Sequence, residues 1–259
     1  MSNAEPTDTE LAEGLATQNM TGELYTPPST QIGTYNLARA YELQRVYVGQ
    51  WQKRDRIGGF KAAVTAPPMQ KNFGLPGPVT SVLFARGARS NNANFPLKDY
   101  RTLLVETELS FRLSDSVSAP LSTIGEVRAL VARCSPTFEL ADPGFGAKKF
   151  TGEDLVATNI ACAGWIEGPS FNWKNTDLDK LSVTLKQGGE TLHTESAGSV
   201  MDGQWPALLW LINQTVAQGY TITPDHVLLT GAIGAAHPGQ PGHYEADYGS
   251  AGSIAFQVS

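Results

Sequence analysis

The chain has 259 residues, 41% hydrophobic and 17% charged, enough apolar matter for a substantial core and too much for a disordered polymer. Its formal charge is −6 with no Lys/Arg run, which argues against a nucleic acid or an anionic membrane as partner. No apolar stretch approaches the roughly 20 residues of a membrane span, the opening MSNAEPTDTELAEG is too polar for a secretory signal, and Cys134 and Cys162 form no CxxC pattern; the expectation is a soluble cytoplasmic protein.

In chain order, residues 4–20 suit a short helix. A better one spans 34–59, where Leu37, Ala40, Tyr41, Leu43, Gln44 and Tyr47 recur at spacings of three and four and Gly58-Gly59 supplies a stop. GFKAAVTAPPMQ (59–70) reads as a strand ending at Pro67-Pro68. Residues 70–100 are loop-like apart from Val82-Leu83-Phe84. A strand follows at 101–113, a helix near 124–134, a strand after Pro136 and a Gly/Lys loop at 143–154. Further strands are expected near 163–168 and 180–187, with QGGE as a turn. WPALLWLINQTVAQG (205–219) is a helix with Asp202 at or near its N-terminal cap and Trp205 as packing, and HVLLTGAI and GSIAFQV are closing strands. Many strands, few helices and no regular βα alternation predict an α+β fold with a large mixed β core. No fixed-period repeat or dividing linker is visible, so a single domain is expected over 1–259, with 1–58 as its helical segment.

VETELSF (105–111) carries the chemistry. Val105, Thr107, Leu109 and Phe111 share one face of a strand, while Glu106 and Glu108 share the other, roughly 6.5 Å apart. Apolar residues flank the pair on both sides, as in an interior strand. At an effective dielectric of about 20 the two charges repel by roughly 2.5 kcal/mol, so a buried pair must take up a proton or a cation. Glu139, in PTFEL, faces away from Phe138 and Leu140 in the same manner. Three carboxylates on one hard divalent cation leave positions open for a chelating 2-oxo acid and a water.

These motifs resemble the 2-oxopent-4-enoate hydratases and 4-oxalocrotonate decarboxylases of the fumarylacetoacetate hydrolase superfamily. AYELQ (40–44) is similar to the family's AYxxQ helix, GFKAAVTAPPMQ to its lysine strand, VETELSF and SPTFEL to its metal-ligand strands, and 207–213 and 226–256 to its closing helix and strands. The resemblance implies a fumarylacetoacetate-hydrolase C-terminal-like mixed β-roll/barrel core over 59–259. It further implies Mg²⁺ or Mn²⁺ on Glu106, Glu108 and Glu139, a catalytic Lys61, substrate contacts from Thr230 and Thr65, and a homo-oligomer. The expected activity is hydration of a 2-hydroxy-2,4-dienoate in aromatic-compound catabolism. Decarboxylation of a 2-oxo dicarboxylate on the same site is the alternative, and a non-catalytic small-acid and metal-binding member or partner subunit is a third reading.

Several positions depart from the family pattern. Where the family carries PDxG, this chain has Pro78-Val79-Thr80-Ser81, and a valine cannot move a proton. Ala141-Asp142-Pro143 replaces DSR, Thr158-Asn159-Ile160-Ala161 replaces DNAS, and Ala63 replaces the glycine of KxG. Metal-dependent binding of a 2-oxo acid is therefore expected to persist, with slow hydration of the five-carbon dienol; Thr80, Ser81 or a water could stand in for the missing carboxylate. His226, His237 and His243 lack zinc-site spacing and are expected as loop and strand residues.

Overall fold

The computed structural model describes residues 5–259, apart from the side chain of Cys162. Helix α1 (Asp8–Thr21) starts at a capping box of Thr7 with Glu10 and stops at Gly22 in the left-handed conformation; residue 4 of the expected helix lies outside the described residues. Helix α2 (Leu37–Gln52) begins behind Asn36, whose side chain accepts from Arg39 N. The other helices are α3 (Pro67–Phe73), α4 (Ile124–Leu130), α5 (Gly152–Ala157) and α6 (Gln204–Ala217). The strands are β1 (Ile57–Ala63), β2 (Val79–Phe84), β3 (Ala88–Arg89), β4 (Asn94–Phe95), β5 (Leu104–Leu113), β6 (Val131–Ala141) and β7 (Cys162–Glu167). They continue as β8 (Ser182–Gln187), β9 (Glu190–Ser196), β10 (Val227–Leu229), β11 (His237–Pro238), β12 (Gly242–Asp247) and β13 (Ser253–Val258).

Some boundaries differ from the sequence expectation for identifiable reasons. Helix α2 does not reach Gly58-Gly59, which lie in β1: a Cβ on Gly59 would meet Val227 O at 2.0 Å, and one on Gly58 would meet the Trp165 ring at 2.8 Å. These glycines permit close strand approach. The lysine strand ends at Ala63, and Pro67 opens α3, as proline can in a first turn. The stretch expected as loop holds β2, buried at all six positions. Pro136 lies inside β6, opposite Leu109, just past the last β7 pair of Thr137 with Glu167; its carbonyl still accepts from Gly168 N. The N-terminal cap of α6 is Gly203, directly after Asp202, and the carboxylate serving that end is Asp179, which accepts from Gln204 N at 2.8 Å; Asp202 is thus near the cap, as expected, without being the cap itself.

Two sheets form the β core. One has the order β2-β1-β10-β5-β6-β7-β3, with β11 also on β5; the other runs β4-β13-β12-β8-β9. In the larger sheet β1 is parallel to β10 and β3 to β7, while the remaining pairs are antiparallel. This sheet curls until its ends approach: Leu83 on β2 and Trp165 on β7, far apart in strand order, bury together with Val227 and Leu229. Gly87 and Gly164 make the approach possible, since a Cβ on Gly164 would meet Gly87 O at 2.7 Å.

Side chains complete the free edge of β2. Tyr41 Oη accepts from Thr80 N at 3.1 Å, and Gln44 Nε2 donates to Thr80 O at 3.1 Å and Val156 O at 3.0 Å. Asn159 accepts from Val82 N at 2.9 Å and donates to Val82 O at 2.8 Å. Three side chains thus do the work of a missing neighbouring strand, leaving no buried backbone group of Thr80 or Val82 unpaired. Asn159, Ile160 and Ala161 all have positive φ (60°, 49° and 58°), a conformation that non-glycine residues hold only when the surroundings enforce it.

Candidate metal centre

The strand register assembles one polar interior. Glu106 pairs directly with Glu139 across β5 and β6, Glu108 lies two residues further along the same face, and Lys61 on β1 faces Ser81 on β2. Carboxylate oxygens of Glu106, Glu108 and Glu139, one from each, lie within 4.8 Å of one another. Glu108 and Glu139 are fully buried and Glu106 is partly so. Lys61 is 2% exposed and its ammonium pairs with Glu139 Oε1. Gly231 N donates to Glu108 Oε2 at 2.7 Å. The alternation legible in VETELSF is therefore present, with the face opposite the apolar residues turned inward.

The electrostatics of the interior favour a cation. Burial and the Glu139 charge push the Glu106 carboxyl up to about 7, with Lys61 opposing. Burial, then the charges of Glu139 and Glu106, hold Glu108 well above the usual carboxylate range against Lys61 and the Gly231 N–H. Among the described residues one ammonium, that of Lys61, meets the three carboxyl groups. Glu108 Oε1 and Glu139 Oε2 are buried without a hydrogen-bond partner, each a deficit of about 1–3 kcal/mol. A divalent cation fits this set: the donors are all carboxylate oxygens, as hard ions prefer, two have free lone pairs, and the positive charge offsets the excess of acids.

Thr65 is 8% exposed and packs against Gly231, where a Cβ would lie 2.5 Å from its Cγ2. Gly231, at φ +116°, thus brings its N–H onto Glu108 and Thr65 beside it. Thr230 is placed differently. Its hydroxyl lies 2.7 Å from Gln204 Oε1 and 3.3 Å from Leu109 O, held toward α6 and β5. The structure brings Glu106, Glu108, Glu139 and Lys61 together and sets Thr65 next to them, but it gives the Thr230 hydroxyl to the scaffold. The backbone N–H of Gly231 is a site group that a side-chain reading misses; the glycine after Thr230 was its only sequence signal.

The departures from the family pattern also acquire places. Val79 is fully buried in an apolar cluster with Ala40, Leu75, Val156 and Ile160. Asp142 accepts from Thr102 N and Arg101 N and pairs with Arg101 Nε at 3.0 Å, which fixes the chain entering β5. His226 caps its own turn through Thr223 N, His237 lies 2.9 Å from His193, and His243 is exposed on β12. These three do not converge on one another.

No family model matches the chain. It is 27% identical over 181 residues to a 2-keto-4-pentenoate hydratase of Burkholderia vietnamiensis, covering 70% of this chain and 69% of that one. It is 25% identical over 204 residues to a 4-oxalocrotonate decarboxylase of a Pseudomonas species, covering 76% and 77%. Among solved structures, 4-oxalocrotonate decarboxylase from Pseudomonas putida, complexed with magnesium and adipate, superposes with a TM-score of 0.92 at 21% identity, covering 99% of this chain and 100% of that one. A fumarylpyruvate hydrolase from Pseudomonas aeruginosa, in complex with Mn²⁺ and pyruvate, gives 0.56 at 11% identity over 79% and 76%.

Proposed function

We infer that this chain, a divergent member of the 2-oxopent-4-enoate hydratase and 4-oxalocrotonate decarboxylase family, is a divalent-metal-dependent lyase whose main reaction is hydration of a 2-hydroxy-2,4-dienoic acid. The observation that carries the reading is the set of three adjoining carboxylates, two with buried unpartnered oxygens, beside a buried lysine. Glu106, Glu108 and Glu139 would hold Mg²⁺ or Mn²⁺. The bound cation supplies Lewis-acid stabilisation of negative charge on the oxygens of a 2-oxo acid.

The protein groups have separate tasks. Ketonisation of a 2-hydroxydienoate moves the hydroxyl proton onto the carbon chain. Lys61 Nζ, held on Glu139, is the group assigned to stabilise the oxygen anion left at C2 and to carry that proton. Gly231 N–H fixes the Glu108 carboxylate, and Thr65 lines the same side as a substrate contact. Water then adds across the remaining alkene, its hydroxyl to one carbon and its proton to the other. No carboxylate stands at Val79 to assist that addition, which supports slow hydration of the five-carbon dienol. The 4-oxalocrotonate decarboxylase relatives favour a second reaction on the same groups, loss of CO₂ from a 2-oxo dicarboxylate through the same enolate. A cytoplasmic homo-oligomer completes the proposal, supported by the family resemblance; among the described residues no helix is long and apolar enough to cross a membrane.

The test is loss of dienol absorbance from 2-hydroxypenta-2,4-dienoate and longer homologues with Mg²⁺ or Mn²⁺, with product mass separating gain of water from loss of CO₂. We expect metal-dependent turnover within this panel, and Lys61→Met is expected to lower kcat by at least about 100-fold while Mn²⁺ still binds. No turnover of any dienol or 2-oxo dicarboxylate with either metal would overturn the reading.

A further inference from the structure

We propose that Ser81 is a substrate-binding residue of this site, donating a hydrogen bond to the oxygen-bearing head of the 2-oxo acid on the Lys61 side. The inference rests on the metal-lyase reading and deepens it. Ser81 is 2% exposed, and its Oγ is buried without a hydrogen-bond partner. A buried serine commonly satisfies itself on nearby backbone; here it does not. Of the five buried side-chain atoms without a partner among the described residues, three belong to this interior: Ser81 Oγ, Glu108 Oε1 and Glu139 Oε2.

The register fixes which face of the sheet the Ser81 side chain takes. Ser81 is the direct cross-strand partner of Lys61, so the two side chains stand on the same face of the sheet. The neighbouring candidates on β2 are disposed of otherwise. Thr80 faces the opposite side, where its hydroxyl takes a hydrogen bond from Gln218 Nε2. Val79 is on the Ser81 face but is packed among Ala40, Leu75, Val156 and Ile160. Ser81 is thus the hydroxyl of β2 that the strand presents to Lys61, and it is held there from behind: Tyr41, Gln44 and Asn159 pin the backbone of Thr80 and Val82 on either side of it.

A serine cannot replace a carboxylate as a base, because its proton is held too tightly at neutral pH. It can donate to an anionic oxygen while accepting from an ammonium. That suits the side of the site where a substrate oxygen must lie near Lys61. The group that would satisfy Ser81 is the substrate itself, and until it enters the hydroxyl carries the desolvation cost of a buried unpaired donor.

Calorimetry with oxalate, whose two adjacent oxygen-bearing carbons mimic the head of a 2-oxo acid enolate, tests this on wild type, Ser81→Ala and Ser81→Cys. Mn²⁺ affinity is expected to stay within about twofold of wild type in both variants. Oxalate affinity in the Mn²⁺-loaded protein is expected to fall at least about tenfold, as loss of a hydrogen bond to a charged group implies. The metal-free Ser81→Ala protein is expected to melt no lower than wild type, because the deletion removes an unpaired hydroxyl; a purely structural serine would lower the melting temperature. Ser81→Cys keeps the volume and separates packing from hydrogen bonding. Wild-type oxalate affinity in both variants would overturn the Ser81 assignment alone, as a hydroxyl that merely holds a water would give. Failure of wild type to bind oxalate in the presence of Mn²⁺ would overturn the metal-lyase reading, and this assignment with it.

Discussion

Single residues in this chain are read correctly only once their face of a strand is known. Glu106, Glu108 and Glu139 were legible because their apolar neighbours alternate with them, so sequence alone fixes which face each side chain takes. Val79 shows the limit of that reading. As a departure from the family pattern it suggests that Val79→Asp would raise hydration of the five-carbon dienol if the proton relay were the only missing part. The structure places it fully buried among aliphatic side chains. An aspartate there would be a buried charge without a partner, a loss of about 3–5 kcal/mol. Val79→Asp is therefore expected to lower the unfolding free energy by that amount and to gain no activity, as chemical denaturation and the dienol assay would show. A stable, more active variant would mean that the Val79 side chain reaches the reacting groups. Thr80 and Ser81 could not be told apart by sequence for the same reason: adjacent residues of a strand face opposite ways, and which way is set by pairing with β1.

At the scale of elements, the misplaced boundaries share a cause. Gly58-Gly59 read as a helix stop and Pro136 as a strand boundary because glycine and proline punctuate local structure. Here they answer to distant neighbours, Val227 and Trp165 for the glycines and the end of β7 pairing for the proline. The buried β2 was read only as a short apolar run because its polar Thr80 and Ser81 break the pattern, each for its own tertiary reason. The AYELQ helix was recognised, but its role was not: Tyr41 and Gln44 close the edge of β2 together with Asn159. Gln44→Leu and Asn159→Ala are each expected to destabilise the protein by about 2–3 kcal/mol, since each leaves buried backbone groups unpaired. Asn159→Ala is also expected to weaken oxalate binding more than Mn²⁺ binding, because β2 carries Ser81 and none of the carboxylates. Equal weakening of both would show that the edge clasp supports the whole interior, not β2.

The whole molecule depends on closure. Only when the large sheet curls does Leu83 on β2 reach Trp165 on β7, and only then do β1, β5 and β6 turn Lys61 and the three carboxylates into one interior. No local pattern encodes that curvature: the strand pattern made the mixed β core foreseeable, while its rolled form was implied only by the family resemblance, and the curled sheet bears it out. The N-terminal helices join the same apolar core, Leu11 and Tyr47 in one cluster with Phe138 and Phe256, and Asp8 pairs with Arg39 between α1 and α2 at 2.7 Å. We propose on that basis that 1–259 behaves as one unit. Each role assigned to Glu106, Glu108, Glu139, Lys61 and Ser81 requires that the closed interior hold a cation. The direct measurement is calorimetric titration of the metal-free protein with Mn²⁺, on wild type and on Glu106→Gln, Glu108→Gln and Glu139→Gln, with circular dichroism to confirm the fold. We expect one site in wild type and at least about tenfold weaker binding in each folded variant, the loss of a charged ligand being worth more than about 1.4 kcal/mol. Wild-type affinity in all three variants would contradict a metal centre on these carboxylates.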